Sequence, residues 1–244
     1  MSKTIVSIIK LYLKENKKRI DKILNIKANS PYMKYKEIVL LREVIINLKP
    51  KKCLEYGCGY SSLYFPKFLP RSATWMSVEH NSKWYSEIKR KNRNSNVELF
   101  HINANNHNYI DEGEYKDFMS YVNFPKTKAP FDFILIDGMA RSACIDKAKS
   151  MLSEKGIIVV HDSNRNAYHN KIKEFPNWMI LEDFRKSAGG LGFASNKISI
   201  GKLFDIEHHR KIWKTDTKIS NLFKFKFILL KRGKPFRFQR SIKN

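Results

Sequence analysis

Five short apolar, β-branched runs punctuate the chain, and stretches of helical spacing lie between most of them. Lys52–Tyr56, Thr74–Glu79, Val97–Ile102, Phe131–Asp137 and Gly156–His161 read as strands, with helices expected over Ser61–Phe68, Ser82–Lys91 and Arg141–Leu152. The alternation predicts a doubly wound α/β sheet, mostly parallel. The fourth and fifth runs are apolar almost without interruption, as strands covered on both faces should be. Residues 103–130 are an insertion, with a helix expected from Glu114 to Phe124. Trp178–Phe184 and Leu191–Ser195, joined by Gly189-Gly190, would complete the sheet with an antiparallel edge. Ahead of the sheet, Ile5, Ile8, Ile9, Tyr12, Ile20, Ile23 and Leu24 fall near helical spacing among lysines. Tyr32–Leu48 puts Ile38, Leu41, Ile45 and Leu48 on one helix face, which Lys49-Pro50 ends. Near the other end, Asn221–Leu230 alternates apolar residues with lysine in its first half. The pattern divides the chain into an N-terminal helical segment (1–49), an α/β domain (50–201) and a basic, aromatic C-terminal extension (202–244).

Composition adds one surprise. A chain of 244 residues with 42% apolar and 13% aromatic residues can bury one good-sized core. The net charge of +24 is uneven: residues 1–27 hold eight basic and two acidic side chains, and residues 202–244 hold thirteen and three. Basic flanks suit an anionic partner such as a membrane surface, nucleic acid or an acidic glycan, and suit a solvated lysine-rich surface equally. Cys53, Cys58 and Cys144 have neither a disulfide framework nor a metal-type spacing. The apolar run Ile5–Ile9 is too short for a secretory signal, and no stretch approaches the roughly 20 apolar residues of a membrane span. A cytoplasmic protein, peripheral at the membrane through its flanks, is the expectation.

The candidate chemistry lies at the strand ends, where doubly wound sheets bind ligands. The first strand runs through Glu55 and Tyr56 into a Gly57-Cys58-Gly59 turn, and Ser61 or Ser62 can cap the next helix. The second ends in Glu79, placed 22 residues past Gly57, where an acid can accept hydrogen bonds from a ribose diol. The fourth ends in Asp137-Gly138 and the fifth in His161-Asp162. Each acid taken singly reads as well as a cap, a turn or a surface group; together, four polar ends at one rim favour a ligand site. A nicotinamide dinucleotide would want a third glycine where Ser62 stands, and Glu55 would repel its pyrophosphate. S-adenosylmethionine has no phosphate and carries positive charge, which an acid beside the turn favours.

Leu54-Glu55-Tyr56-Gly57-Cys58-Gly59, Ser77-Val78-Glu79-His80, Asp132-Phe133-Ile134-Leu135-Ile136-Asp137-Gly138 and Gly156-Ile157-Ile158-Val159-Val160-His161-Asp162 resemble the successive motifs of class I S-adenosylmethionine-dependent methyltransferases. The resemblance covers residues 50–200 and implies a Rossmann-like methyltransferase sheet. It implies cofactor contacts from Glu55, Tyr56, Gly57, Gly59, Ser61, Ser62, Glu79 and His80, with Asp137 beside the transferable methyl. At the third strand the usual acid is missing, and Asn103 stands in its place. Tyr56-Gly57-Cys58-Gly59-Tyr60-Ser61, Ser77-Val78-Glu79-His80 and Trp84-Tyr85 also look like a subset that methylates sugar hydroxyls, such as the uronic-acid O-methyltransferases of polysaccharides.

O-methylation of a glycan or other small polar acceptor needs a base or a metal to activate the hydroxyl. Asp162 is the preferred base and His161 the other; Asp137, Asp162 and Asn164 are candidate ligands for Mg²⁺ or another divalent cation, similar to the cation-dependent O-methyltransferases. Arg141 and Arg165 either grip an anionic group on the substrate or pair with Asp137 and Asp162. Tyr168 and His169 follow on the next helix. The rival readings are an RNA or DNA methyltransferase tracking phosphates with its basic flanks, and a binding protein that keeps the fold without catalysis.

Overall fold

The computed structural model describes residues 13–14, 30–227 and 234–241, with the backbone alone for 221–227. The helix expected over residues 3–26 therefore lies outside the described residues except at Leu13 and Lys14, which are helical.

Eight strands form one sheet: β1 Lys52–Tyr56, β2 Thr74–Glu79, β3 Val97–His101, β4 Phe131–Ile136, β5 Leu152–His161, β6 Asn177–Glu182, β7 Leu191–Ser195 and β8 Arg237–Arg240. Their order is β3-β2-β1-β4-β5-β7-β6-β8. The first five strands run parallel, and β7, β6 and β8 add the antiparallel edge. This is the mixed α/β sheet the apolar pattern predicts. The order reverses beside β1, between β2 and β4, and a crevice opens at such a switch point.

The helices are α1 Tyr35–Leu48, α2 Tyr60–Tyr64, α3 Ser82–Lys91, α4 Met119–Asn123, α5 Arg141–Lys149, α6 His169–Lys173 and α7 Ile206–Phe227. Period-two alternation sends Cys53, Trp75, Phe133, Leu135 and Val159 to one face, where Ile38, Leu41 and Ile45 of α1 and Ile212 and Trp213 of α7 cover them. Leu54, Tyr56, Val78, Ile134, Ile136 and Val160 line the other face under α4, α5 and α6, with Tyr121, Ile145 and Ile172 packed against them. Both faces are dry, which is why β4 and β5 carry unbroken apolar runs.

Three elements differ from the sequence expectation. The alternating stretch from Asn221 continues a helix as far as Phe227, because α7 is already wound from Ile206 and buries Ile212, Trp213 and Thr217 at helical spacing. The helix expected over Glu114–Phe124 divides into a 3-10 turn at Tyr115–Asp117 and the short α4. The described parts of the two flanking segments join the sheet: β8 pairs with β6, and α1 and α7 share one core with it.

Candidate functional site

The cleft follows from how β1 leaves the sheet. Gly57 adopts φ +91°, and a Cβ there would stand 2.6 Å from Gly138 Cα at the end of β4. Only glycine fits such a backbone. Gly59 is different: its backbone is extended, and a Cβ would meet nothing nearer than Ser61 Oγ at 3.5 Å. The absent side chain of Gly59 leaves room that belongs to the cleft, not to the protein core.

Beneath this turn sits Glu55, and its placement corrects the sequence reading. The carboxylate does not face a ligand; it is fully buried below the turn. Its Oε2 accepts from Ser62 Oγ at 2.5 Å, Ser77 Oγ at 2.6 Å and Trp75 Nε1 at 2.9 Å. Ser62 Oγ in turn accepts from the Gly59 amide at 3.0 Å. Glu55 and Ser62 therefore hold the turn from behind. Burial raises the Glu55 carboxyl to about 7, against the pull of its donors. Tyr56 also turns inward, donating its hydroxyl to the Val122 carbonyl at 2.8 Å.

In front of the turn lies a cleft of about 720 Å³, on which Gly57, Gly59, Ser61, Glu79, His80, Asp137, Arg141, His161 and Asp162 converge. Glu79 Oε1 accepts from the amides of His80 at 2.9 Å and Asn81 at 2.8 Å, which fixes the carboxylate. Its Oε2 makes no hydrogen bond to a described residue. Trp84 closes the wall behind Gly59, its indole donating to the Cys58 carbonyl at 2.6 Å. Asn103 is exposed and does not reach the cleft.

At the opposite rim two acids share one arginine. Arg141 Nη1 donates to Asp162 Oδ2 at 2.7 Å, and Nη2 to Asp137 Oδ1 at 3.3 Å. Asp162, at φ +60°, also accepts the Gly189 amide on Oδ1 at 2.5 Å. His161 Nδ1 donates to Asp137 Oδ1 at 2.8 Å. Its Nε2 faces Glu37 Oε2 at 3.6 Å. Burial opposes charge on His161, yet Asp137 and Glu37 on either side push it up to about 10, so the ring is an imidazolium at neutral pH. Against burial, His161 and Arg141 hold Asp162 down to about 2. A cationic ring is not a general base, and Asp162 has both oxygens engaged. Asp137 Oδ2 is the carboxylate oxygen on this rim that no described residue occupies.

Several residues that shape the rim carry no motif. Glu37 of α1, fully buried, accepts the Gly190 amide at 2.9 Å and pairs with Arg185. Burial works against its charge, but Arg185 and His161 hold it well below the usual carboxylate range. Arg185 is also bound to Asp183, whose Oδ2 meets Lys36 Nζ at 3.0 Å. Tyr32 stacks on Trp84 at the mouth, with ring centroids 6.0 Å apart.

The expected metal ligand set is incomplete at Asn164. Asn164 is buried, and its Nδ2 donates to Asp183 Oδ1 and to the Arg185 and Ala188 carbonyls, each at 2.9 Å. Its Oδ1 accepts the Asp183 amide at 2.9 Å. Asn164 thus ties down the 183–190 loop and offers the acids no ligand. Arg165 pairs with Glu112 at 3.2 Å, not with Asp162. Tyr168 Oη donates to Glu112 at 2.5 Å, and His169 Nε2 lies 2.7 Å from the Ser163 carbonyl; both are structural.

No protein-family model matches the chain, and no curated protein matches it. Solved structures do. A putative caffeoyl-CoA O-methyltransferase from Staphylococcus aureus superposes with a TM-score of 0.50 at 14% identity, over 72% of this chain and 88% of that one. The likeness is one of fold, a Rossmann-like α/β sheet shared with that methyltransferase. An O-methyltransferase of tomaymycin synthesis from Streptomyces achromogenes, solved with its cofactor, has a TM-score of 0.48 at 14% identity, covering 79% and 89%. A spermidine synthase from Thermotoga maritima has a TM-score of 0.47 at 19% identity, covering 80% and 74%. A methyltransferase fold does not by itself name the acceptor.

Proposed function

We propose that this chain is an S-adenosylmethionine-dependent O-methyltransferase acting on a hydroxyl of a sugar, glycan or other small polar acceptor. The observation that carries the reading is the single cleft into which Gly59, Ser61, Glu79 and Asp137 converge from three strand ends. Gly59 leaves space where a side chain would stand, and Glu79 presents one fixed carboxylate with a free oxygen, suited to a ribose diol. Bound there, S-adenosylmethionine supplies a methyl group already activated by its sulfonium.

What remains for the protein is alignment and proton transfer. Asp137 Oδ2 accepts the hydroxyl hydrogen bond, orients the oxygen and takes its proton as the methyl ether forms. Arg141 and His161, both on Oδ1, fix the carboxylate and leave Oδ2 free for the acceptor. Each arginine and histidine lining the cleft has an acid partner among the described residues. That pairing supports a neutral hydroxyl-bearing acceptor over a carboxylate or phosphate held by a bare guanidinium. No helix among the described residues is long and apolar enough to cross a membrane. Attachment to an anionic membrane surface through the basic flanks is part of the same proposal.

Calorimetry with S-adenosylmethionine tests the cofactor, and transfer of labelled methyl groups to sugars, oligosaccharides and RNA tests the acceptor. Absence of cofactor binding, or binding undiminished in Glu79→Ala, overturns the assignment. Label that enters RNA and no sugar overturns the acceptor class.

A further inference from the structure

Asp137, His161 and Asp162 bring three metal-type donors within 4.8 Å of one another. Two carboxylates and an imidazole would ordinarily suit Mn²⁺, Co²⁺ or, with added waters, Mg²⁺. In this protein the space between the acids is filled by a side chain. Arg141 is buried and rises from the first turn of α5. Besides its bonds to the two acids, it donates through Nε to the Gly138 carbonyl at 3.0 Å and through Nη1 to the His161 carbonyl at 3.2 Å. Acceptors from the ends of both β4 and β5 thus surround one planar group.

We propose that the Arg141 guanidinium is the built-in cation of this site, holding Asp137 and Asp162 where a divalent metal would otherwise bridge them. Three features support it. Three of the four carboxylate oxygens are taken: Asp162 Oδ2 by Arg141, Asp162 Oδ1 by the Gly189 amide, and Asp137 Oδ1 by Arg141 and His161 together. The charge is fixed, because a guanidinium does not release its proton in a protein, so an incoming dication would meet a permanent positive charge at contact distance. The coordination is incomplete, because Asn164 supplies no third oxygen. Arg141 is a positioning residue in this account. It directs Asp137 Oδ2 to the acceptor, and methyl transfer proceeds without a divalent metal. This last clause rests on the methyltransferase reading; the occupancy of the site by Arg141 does not.

Manganese titration followed by electron paramagnetic resonance, on the full-length protein, separates the two. The wild-type protein is expected to bind no Mn²⁺ that Asp162→Asn abolishes. Arg141→Ala removes the resident charge and leaves one free oxygen on each carboxylate, so it is expected to gain one Mn²⁺ site that is lost again when Asp162→Asn is added. A wild-type Mn²⁺ site sensitive to Asp162→Asn overturns the proposal. So does a folded Arg141→Ala protein that gains none. If Arg141→Ala does not fold by circular dichroism, Arg141→Gln takes its place, and the wild-type titration decides if neither folds. Affinity for S-adenosylmethionine is measured alongside, in chelator and in Mn²⁺, and is expected to be the same in both. A protein that binds no S-adenosylmethionine fails the methyltransferase reading and leaves the Mn²⁺ result intact.

Discussion

Glu55 offers a test of how the glycine turn is supported. Its carboxyl titrates near 4.5 in an unfolded chain and is raised to about 7 in the folded one, because burial disfavours the charge more than its donors favour it. The folded state therefore binds the extra proton between these values. Stability is full below pH 4.5 and falls as pH rises through 7, by about 3 kcal/mol at 1.36 kcal/mol per pH unit. Glu55→Gln keeps an oxygen for Ser62, Ser77 and Trp75 and removes the charge. Urea denaturation of both proteins, from pH 5 to pH 8, isolates this one group, because His161 and the other titrating groups contribute alike and cancel in the difference. The variant should gain on the wild type steadily across that range, ending about 2–3 kcal/mol further ahead at pH 8 than at pH 5. A difference that stays flat with pH would refute the buried, proton-binding carboxyl. A variant that loses ground as pH rises would show that the charge itself supports the turn.

Other substitutions probe neighbouring parts. Gly57→Ala meets Gly138 Cα at 2.6 Å from a left-handed backbone, and should cost on the order of 2–3 kcal/mol or more in chemical denaturation. Gly59→Ala, with no protein atom in the way, should leave stability within about 1 kcal/mol while weakening S-adenosylmethionine binding at least about tenfold by calorimetry. Glu37→Ala removes one of the two acid partners of Arg185 and of buried His161, and should destabilise by about 3 kcal/mol in the same urea assay.

The sheet and its ligand edge were legible because each of the first five strands ends where its apolar run ends. Gly57, Glu79, Asp137 and Asp162 sit at those ends, and topology alone gathers them into one crevice. Orientation within a strand was not legible. Glu55 lies between Leu54 and Tyr56 in a strand buried on both faces, so alternation gives no sign of which residue points below the turn. Glu37 and Arg185 were missed for another reason. The partners stand 148 positions apart, and each reads alone as an ordinary surface charge. The one local hint is a helix start at Lys34-Tyr35-Lys36-Glu37, where Glu37 Oε2 accepts the Lys34 amide at 2.6 Å. The guanidinium between Asp137 and Asp162 has a clearer trace: Arg141 lies one helical turn past Asp137, the spacing of an i, i+4 ion pair.

The ion chain behind the cleft has a consequence for the order in which the protein matures. Lys36 Nζ reaches Asp183 at 3.0 Å and Asp216 at 2.7 Å, and Lys34 reaches the same Asp216 at 2.9 Å. These links join α1, the 183–190 loop and α7, so buried Lys34 lacks its acid partner, and Lys36 has only Asp183, until residue 216 has left the ribosome. The central parallel strands can pair long before that, but the charge network backing the wall that carries Arg185 and Gly189 is complete only then. Long-range closures of this kind form late and slowly. Closure of the fold thus falls in two stages, the central strands first and the charge network behind the cleft last, and that network is the part a chain truncated before residue 216 would lack.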